Sequence, residues 1–179
     1  AINPYLLEGK KTGCLELAYD LKFDVPDIVF VSVGDGTVYS SCIKAFNDLY
    51  QWKKINRIPI VIGVQAEGAC AIKNSFDNGY PYEICDIDNP DTIADSISVG
   101  KPRDVIKACK YAKQNNGFFI TVTDLEIGNA IKELARKTGV FAEPAGATAY
   151  AGAKKMKEIK DFYKHTMRVS IIITGNGLK

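Results

Sequence analysis

Two apolar spacings alternate along this chain. Unbroken runs rich in β-branched residues occur at Asp27–Val33, Pro59–Val64, Phe118–Val122 and Val169–Thr174, and runs without polar alternation predict strands covered on both faces, as in a parallel sheet. Between them the apolar positions recur every three or four residues. Val38, Cys42, Ala45, Phe46, Leu49 and Trp52 predict a helix opening at about Thr37, and Ala69 to Phe76 a shorter one. Val105, Ala108, Cys109 and Ala112 predict another that ends near Asn115-Asn116-Gly117. Thr123 and Glu126 form a Thr-x-x-Glu capping box ahead of Ile127, Ala130, Ile131 and Leu134, and Gly139 stops that helix. Pro144 suits the first turn of a small-residue helix through Ala145, Ala147, Ala149, Ala151 and Ala153. At the front, Leu6, Cys14, Leu15, Leu17, Ala18 and Leu21 predict one helix from about Tyr5 to Leu21, closed off by Pro26. Gly79–Lys101 is rich in turn formers and has no period, and Phe141 starts a short extended piece.

Strands alternating with helices predict an α/β fold: three layers, a mostly parallel sheet with helices on both faces, and a single domain over residues 1–179. That length buries a core without disulfide or metal staples. Lys and Arg number 23 against 21 Asp and Glu, a formal charge of +2, and no lysine run is longer than a pair. Nucleic acid and anionic membrane are therefore not expected partners. No apolar stretch approaches the roughly 20 residues that cross a bilayer, and a cytoplasmic location is expected. Cys14, Cys42, Cys70, Cys85 and Cys109 are odd in number and scattered, with no Cys-x-x-Cys and no nearby histidine. They read as reduced core thiols, and no metal site is predicted.

In an open parallel sheet, ligands bind outside the carboxyl ends of the strands. Here those ends are Gly34-Asp35-Gly36-Thr37 and Thr174-Gly175-Asn176-Gly177. The first also opens a helix, where backbone N–H groups and the positive end of the dipole favour a phosphate against Gly36 to Val38; alternatively, the glycines make a tight turn and nothing more. A dinucleotide fingerprint wants a third glycine where Tyr39 stands, and no Gly-Lys-Ser/Thr completes a Walker loop. A small phosphorylated ligand or cofactor remains. Glu143 before Pro144 reads either as a carboxylate favoured by a helix start or as the edge of a site, and Glu67 has the same ambiguity. His165, with no serine elbow or zinc motif around it, reads as a surface residue.

The ordered set Asn3-Pro4-Tyr5, Glu8-Gly9-Lys10-Lys11-Thr12, Val33-Gly34-Asp35-Gly36-Thr37, Val64-Gln65-Ala66-Glu67-Gly68, Thr92-Ile93-Ala94-Asp95-Ser96-Ile97, Glu143-Pro144-Ala145-Gly146-Ala147 and Thr174-Gly175-Asn176-Gly177-Leu178-Lys179 resembles the pyridoxal 5'-phosphate (PLP) enzymes of fold type II, most closely the threonine synthase family. The resemblance runs nearly end to end. It implies that Gly34, Asp35, Gly36, Thr37 and Val38 cradle the phosphate of PLP, that the Thr174 hydroxyl meets the pyridine nitrogen, and that Glu143, Ser96 and Ser98 lie in the substrate region. The implied reaction turns a small amino-acid substrate, O-phosphohomoserine, and water into threonine and phosphate. A hydroxyl at Thr174, unlike an aspartate, would not hold the ring nitrogen protonated.

Ser98 stands where many threonine synthases carry arginine, and Lys101 where asparagine is frequent. Sister lyases, namely a threonine or serine dehydratase or cysteate synthase, therefore stay open, as does a non-catalytic binding or regulatory module. The family's Schiff-base lysine belongs to an N-terminal segment without counterpart here, and Lys10 and Lys11 fall in a different part of the pattern. The chain is thus expected to be the C-terminal, large-domain portion of a longer enzyme, inactive alone, with a face bared or covered by a second copy in a homo-oligomer.

Overall fold

A computed structural model describes residues 3–159 and 166–178. His165 and Lys179 lie outside the described residues. Four strands, β1 (Ile28–Ser32), β2 (Ile60–Ala66), β3 (Phe118–Val122) and β4 (Val169–Ile172), form one sheet in the order β3-β2-β1-β4. Every pairing is parallel, with Phe30 opposite Ile62 and Ile171, and Val64 opposite Ile120. The connections carry helices α1 (Pro4–Lys10), α2 (Thr12–Asp20), α3 (Thr37–Gln51), α4 (Ala71–Asn78), α5 (Val105–Gln114), α6 (Asp124–Thr138) and α7 (Pro144–Lys157). None is long and apolar enough to cross a membrane.

Strand side chains alternate between faces, and each face meets its own helical layer. Val29, Val31, Val61 and Phe119 pack with Cys14, Cys42, Phe46, Ala108 and Cys109 from α2, α3 and α5. Ile28, Phe30, Ile62, Val64 and Val122 pack with Ile127, Ala130, Ala147, Ala149 and Ala151 from α6 and α7. Double coverage explains why the central strands read as unbroken apolar runs. Each such buried side chain is worth about 1.5–3 kcal/mol relative to exposure. The small residues of α7 let it lie against the sheet: a Cβ on Gly152 would stand 2.5 Å from a Val64 methyl. Ser32 Oγ, on the same face, accepts the N–H of Ala149.

Three local features depart from the pattern-based reading. The front helix is broken at Lys11, where the Thr12 hydroxyl donates to Gly9 O at 2.7 Å and the Lys11 ammonium turns inward to Glu8 and Asp48. The run Val169–Thr174 is not a fully buried strand. β4 lies at the sheet edge, ends at Ile172 and is exposed to half-buried, because only β1 flanks it. The piece at Phe141 shrinks to one antiparallel bridge between Ala142 and Asn176. The capping box is formed in full, with Thr123 Oγ1 accepting from Glu126 N and Glu126 Oε2 accepting from Thr123 N. All five cysteines are free, and four are buried.

Candidate functional site

The chain leaves β1 at its carboxyl end and enters α3 through Gly34, Asp35 and Gly36. Gly36 is the N-cap of this 15-residue helix, with φ of 92°, and offers no side chain to accept the N–H groups of the first turn. Those donors sit at the positive end of the helix dipole, the arrangement that binds phosphate. Side chains at the two glycines would fill the turn. A Cβ on Gly34 would stand 2.9 Å from the Ile97 Cα, and one on Gly36 2.9 Å from the Ile72 Cδ1. Gly34, Asp35, Gly36, Thr37, Val38 and Tyr39 line one cleft of about 530 Å³, within the usual range for a small-ligand site.

Tyr39 explains the missing third glycine. Its ring is fully buried against Phe119, with centroids 4.6 Å apart, and its hydroxyl donates to Val61 O at 3.0 Å. Burial pushes that hydroxyl's pKa up, which keeps it a neutral donor. The ring occupies the space between helix and strand that a dinucleotide-binding turn keeps empty.

The far wall of the cleft comes from the aperiodic segment before α5, which supplies Ser96, Val99, Lys101 and Arg103. Several bonds hold that segment in place. Asp124 accepts from the Thr92 hydroxyl at 2.5 Å and from Ile93 N–H at 3.1 Å; Ile87 N–H donates to Gly100 O, and Asp91 N–H to Gly68 O. A further link, directly to the turn, is Asp35 itself. Its Oδ1 accepts from Arg103 N–H at 2.6 Å, its Oδ2 from the Thr37 hydroxyl at 3.3 Å, and its carbonyl from Asp104 N–H. Asp35 therefore fastens the wall to the glycine turn. Lys101 pairs with Asp88 at 3.0 Å, and that carboxylate raises the lysine's pKa. Leu6 and Lys10 of α1 complete the lining.

Of the sequence-derived site residues, the structure brings together Gly34 to Val38 and Ser96. Ser98 is half-buried, outside the lining, with its hydroxyl donating to Pro90 O at 3.4 Å. Thr174 follows β4, the strand beside β1, so both turns leave the same edge of the sheet. It does not line the cleft. It is exposed in a separate hollow with Val140, Phe141, Ile173 and Asn176. Glu143, buried at the start of α7, belongs with Thr174: its N–H donates to Gly175 O at 3.0 Å and its side chain lies over Gly175. Glu67 is exposed in a 3-10 turn just after β2, while neighbouring Gln65 is fully buried and accepts from Lys73 N–H at the start of α4.

Among the lining residues that sequence reasoning missed are two cations, Lys10 and Arg103. The basic pair in Lys101-Pro102-Arg103, just ahead of the first apolar position of α5, was the available signal, but nothing local says which way that loop folds.

A family model described as pyridoxal-phosphate dependent enzyme matches residues 1–175. The threonine synthase of Methanocaldococcus jannaschii is 39% identical over 179 residues, which is 100% of this chain and 44% of that protein. The threonine synthase of Halalkalibacterium halodurans is 37% identical over 180 residues, 100% of this chain and 47% of that protein. The chain thus spans less than half the length of these relatives. Among solved structures, the processed form of threonine deaminase isoform 2 from Solanum lycopersicum has a TM-score of 0.79 at 22% identity, over 97% of this chain and 46% of that one. Serine racemase from Dictyostelium discoideum has a TM-score of 0.74 at 26% identity, over 99% and 52%. These structures share the fold.

Proposed function

The chain belongs to the pyridoxal-phosphate dependent enzymes, and from that membership we propose that it is the large-domain part of a threonine synthase, acting on O-phosphohomoserine and water to give threonine and phosphate. The observation that carries the reading is the uncapped start of α3, where a left-handed glycine opens a helix at the carboxyl end of a central strand. Both the fit and the chemistry suit the PLP phosphate: a turn that side chains would fill, a first helical turn with donors to offer, and a cleft of about 530 Å³. When bound, PLP supplies an electron sink for negative charge at the substrate's α carbon.

The chain's own residues do the binding and orienting. The N–H groups of Gly36 to Val38 hold the phosphate, while the glycines let the backbone approach it closely. Asp35 sets the turn through its bonds to Arg103 and Thr37 rather than by facing the anion alone. Thr174 offers its hydroxyl to the pyridine nitrogen from the end of β4. Ser96 and Glu143 lie at the two sides of this edge and belong to the substrate region; Ser98 is better read as part of the loop's internal bonding.

The protein expressed from the complete reading frame around this chain provides the test. Loaded with PLP and given O-phosphohomoserine, it should release phosphate and threonine together in equal amounts. Deamination of threonine or serine without phosphate release from O-phosphohomoserine would replace this reading with a dehydratase.

A further inference from the structure

Resting on the reading above, we propose that Glu8, Lys11, Lys44 and Asp48 form a positioning device for the cleft: their ion pairs fix α1 on α3 and so set the width of the opening that admits the substrate. Of the cleft's walls, α1 has little packing of its own. Leu7 is its single buried side chain, and among the described residues that leucine belongs to neither of the two core layers. Leu6 and Lys10, spaced i and i+4 and so on one face of the helix, line the cleft. The helix carries Glu8 off that face, and Lys11 caps its end.

Four charges of alternating sign close a ring between the two helices. Lys11 Nζ donates to Asp48 Oδ2 and stands 2.7 Å from Glu8, while Lys44 stands 2.8 Å from Glu8 and 3.4 Å from the same Asp48 oxygen. Lys11 is only 8% exposed, so little water competes for its ammonium, and breaking such a buried pair leaves an uncompensated charge. Charge-assisted hydrogen bonds also fix direction, whereas one leucine contact would let a short helix slide or turn. Lys44 and Asp48 belong to α3, the helix whose start forms the glycine turn. That helix therefore carries the turn at its first residue and the anchors of α1 two to three turns along, about 10–17 Å away at 1.5 Å per residue. Turn and wall are referred to one rigid element. A shift of α1 would move Leu6 against the bound reactants, and misplacement by about 1 Å can cost about a hundredfold.

The test uses protein from the complete reading frame, loaded with PLP. Asp48→Asn keeps the shape of the side chain and removes the charge that both lysines meet. KM for O-phosphohomoserine should rise about tenfold while kcat changes by less than about threefold, the pattern of lost binding, and PLP affinity should hold within about twofold. Amide hydrogen exchange should quicken in a peptide spanning Pro4–Lys10 and stay unchanged across Thr37–Ser41. Asp48→Glu, which restores the charge on a longer arm, should recover part of both effects. Glu8→Gln, at the exposed corner of the ring, should give the same pattern at about threefold in KM, and it carries the test if Asp48→Asn does not fold. A lower melting temperature with KM and α1 exchange unchanged would reduce the network to a staple, and a parallel loss of PLP affinity would place its effect on the glycine turn. Either result overturns the proposal. If the protein deaminates threonine or serine instead, the threonine synthase reading fails alone: the exchange contrast needs no substrate, and the KM contrast is read with that amino acid.

Discussion

Two glycine-rich turns leave the same edge of the sheet from neighbouring parallel strands, and they differ in nearly everything else. Gly34-Asp35-Gly36 follows a strand buried on both faces and feeds a 15-residue helix through a residue with φ of 92°. Gly175-Asn176-Gly177 follows a half-exposed edge strand and turns back on Ala142 and Glu143, through the Ala142–Asn176 bridge and Glu143 N–H to Gly175 O. One turn presents helix N–H donors to a cleft; the other spends its backbone groups on its neighbours. Similar composition thus yields an uncapped helix start in one place and a brace in the other. The element that the glycines lead into, and the position of their strand in the sheet, make the difference.

The largest expected effect concerns the strands that lead into these turns. Phe30→Ala, in the fully buried β1, should cost about 3–5 kcal/mol through its transfer and cavity terms. Ile172→Ala, on the half-buried edge, should cost clearly less, about 1–2 kcal/mol. Urea unfolding of both variants measures the contrast, and equal losses would mean that β4 is as well covered as β1.

Next in size is the cradle itself. Gly36→Ala places a side chain at positive φ and 2.9 Å from Ile72 Cδ1, a strain of about 1–3 kcal/mol. PLP binding, followed by absorbance, should weaken by tenfold or more. Gly175→Ala crowds the Glu143 carboxylate instead, so its effect on PLP affinity should be much smaller. If the two variants lost PLP equally, the second turn would share the cradle's work.

A smaller change should come from Thr174→Val, which removes one hydrogen bond worth about 1 kcal/mol. PLP affinity should drop about fivefold with the fold intact, and an unchanged affinity would remove Thr174 from the cofactor's contacts.

The smallest effect is acid sensitivity on the two sides of the sheet. Hydrogen bonds from Lys11 and Lys44 hold the Glu8 carboxyl at about 2, and those from Lys137 and Lys154 hold Glu133 at about 2. A carboxyl depressed on folding adds stability above its unfolded pKa of about 4.5 and loses it as pH falls through the folded value. The melting temperature should therefore decline slightly from about pH 5 towards pH 2. Glu8→Gln and Glu133→Gln should each flatten that decline, the first by loosening the α1–α3 contact beside the cleft.

Much of this architecture was legible from local chemistry. The β-branched runs, the Thr123–Glu126 box, Pro144 and the opening of α3 at Thr37 all act within a few residues, so their signals survive in one dimension. The glycine turn before α3 was legible for the same reason, as a strand end, a glycine pair and a helix start in direct succession. The break at Lys11 was harder to read, because apolar spacing carries through it while the cause is a lysine drawn towards Asp48 on another helix.

The sequence by itself determined the α/β class, the parallel character of the sheet and the place of the glycine turn between β1 and α3, since these arise from periodicity and short-range sterics. Only the tertiary structure decided that Val169–Ile172 is an edge, that Thr174 lies in a hollow apart from the cleft with Glu143 packed over the neighbouring Gly175, and that α1 and the loop before α5 line one cleft together. An edge strand and a central strand can carry the same apolar run, because what differs is the number of neighbours. The loop before α5 becomes a wall of the cleft only when Asp35 bonds it to the turn before α3, an interaction between segments that no local pattern encodes.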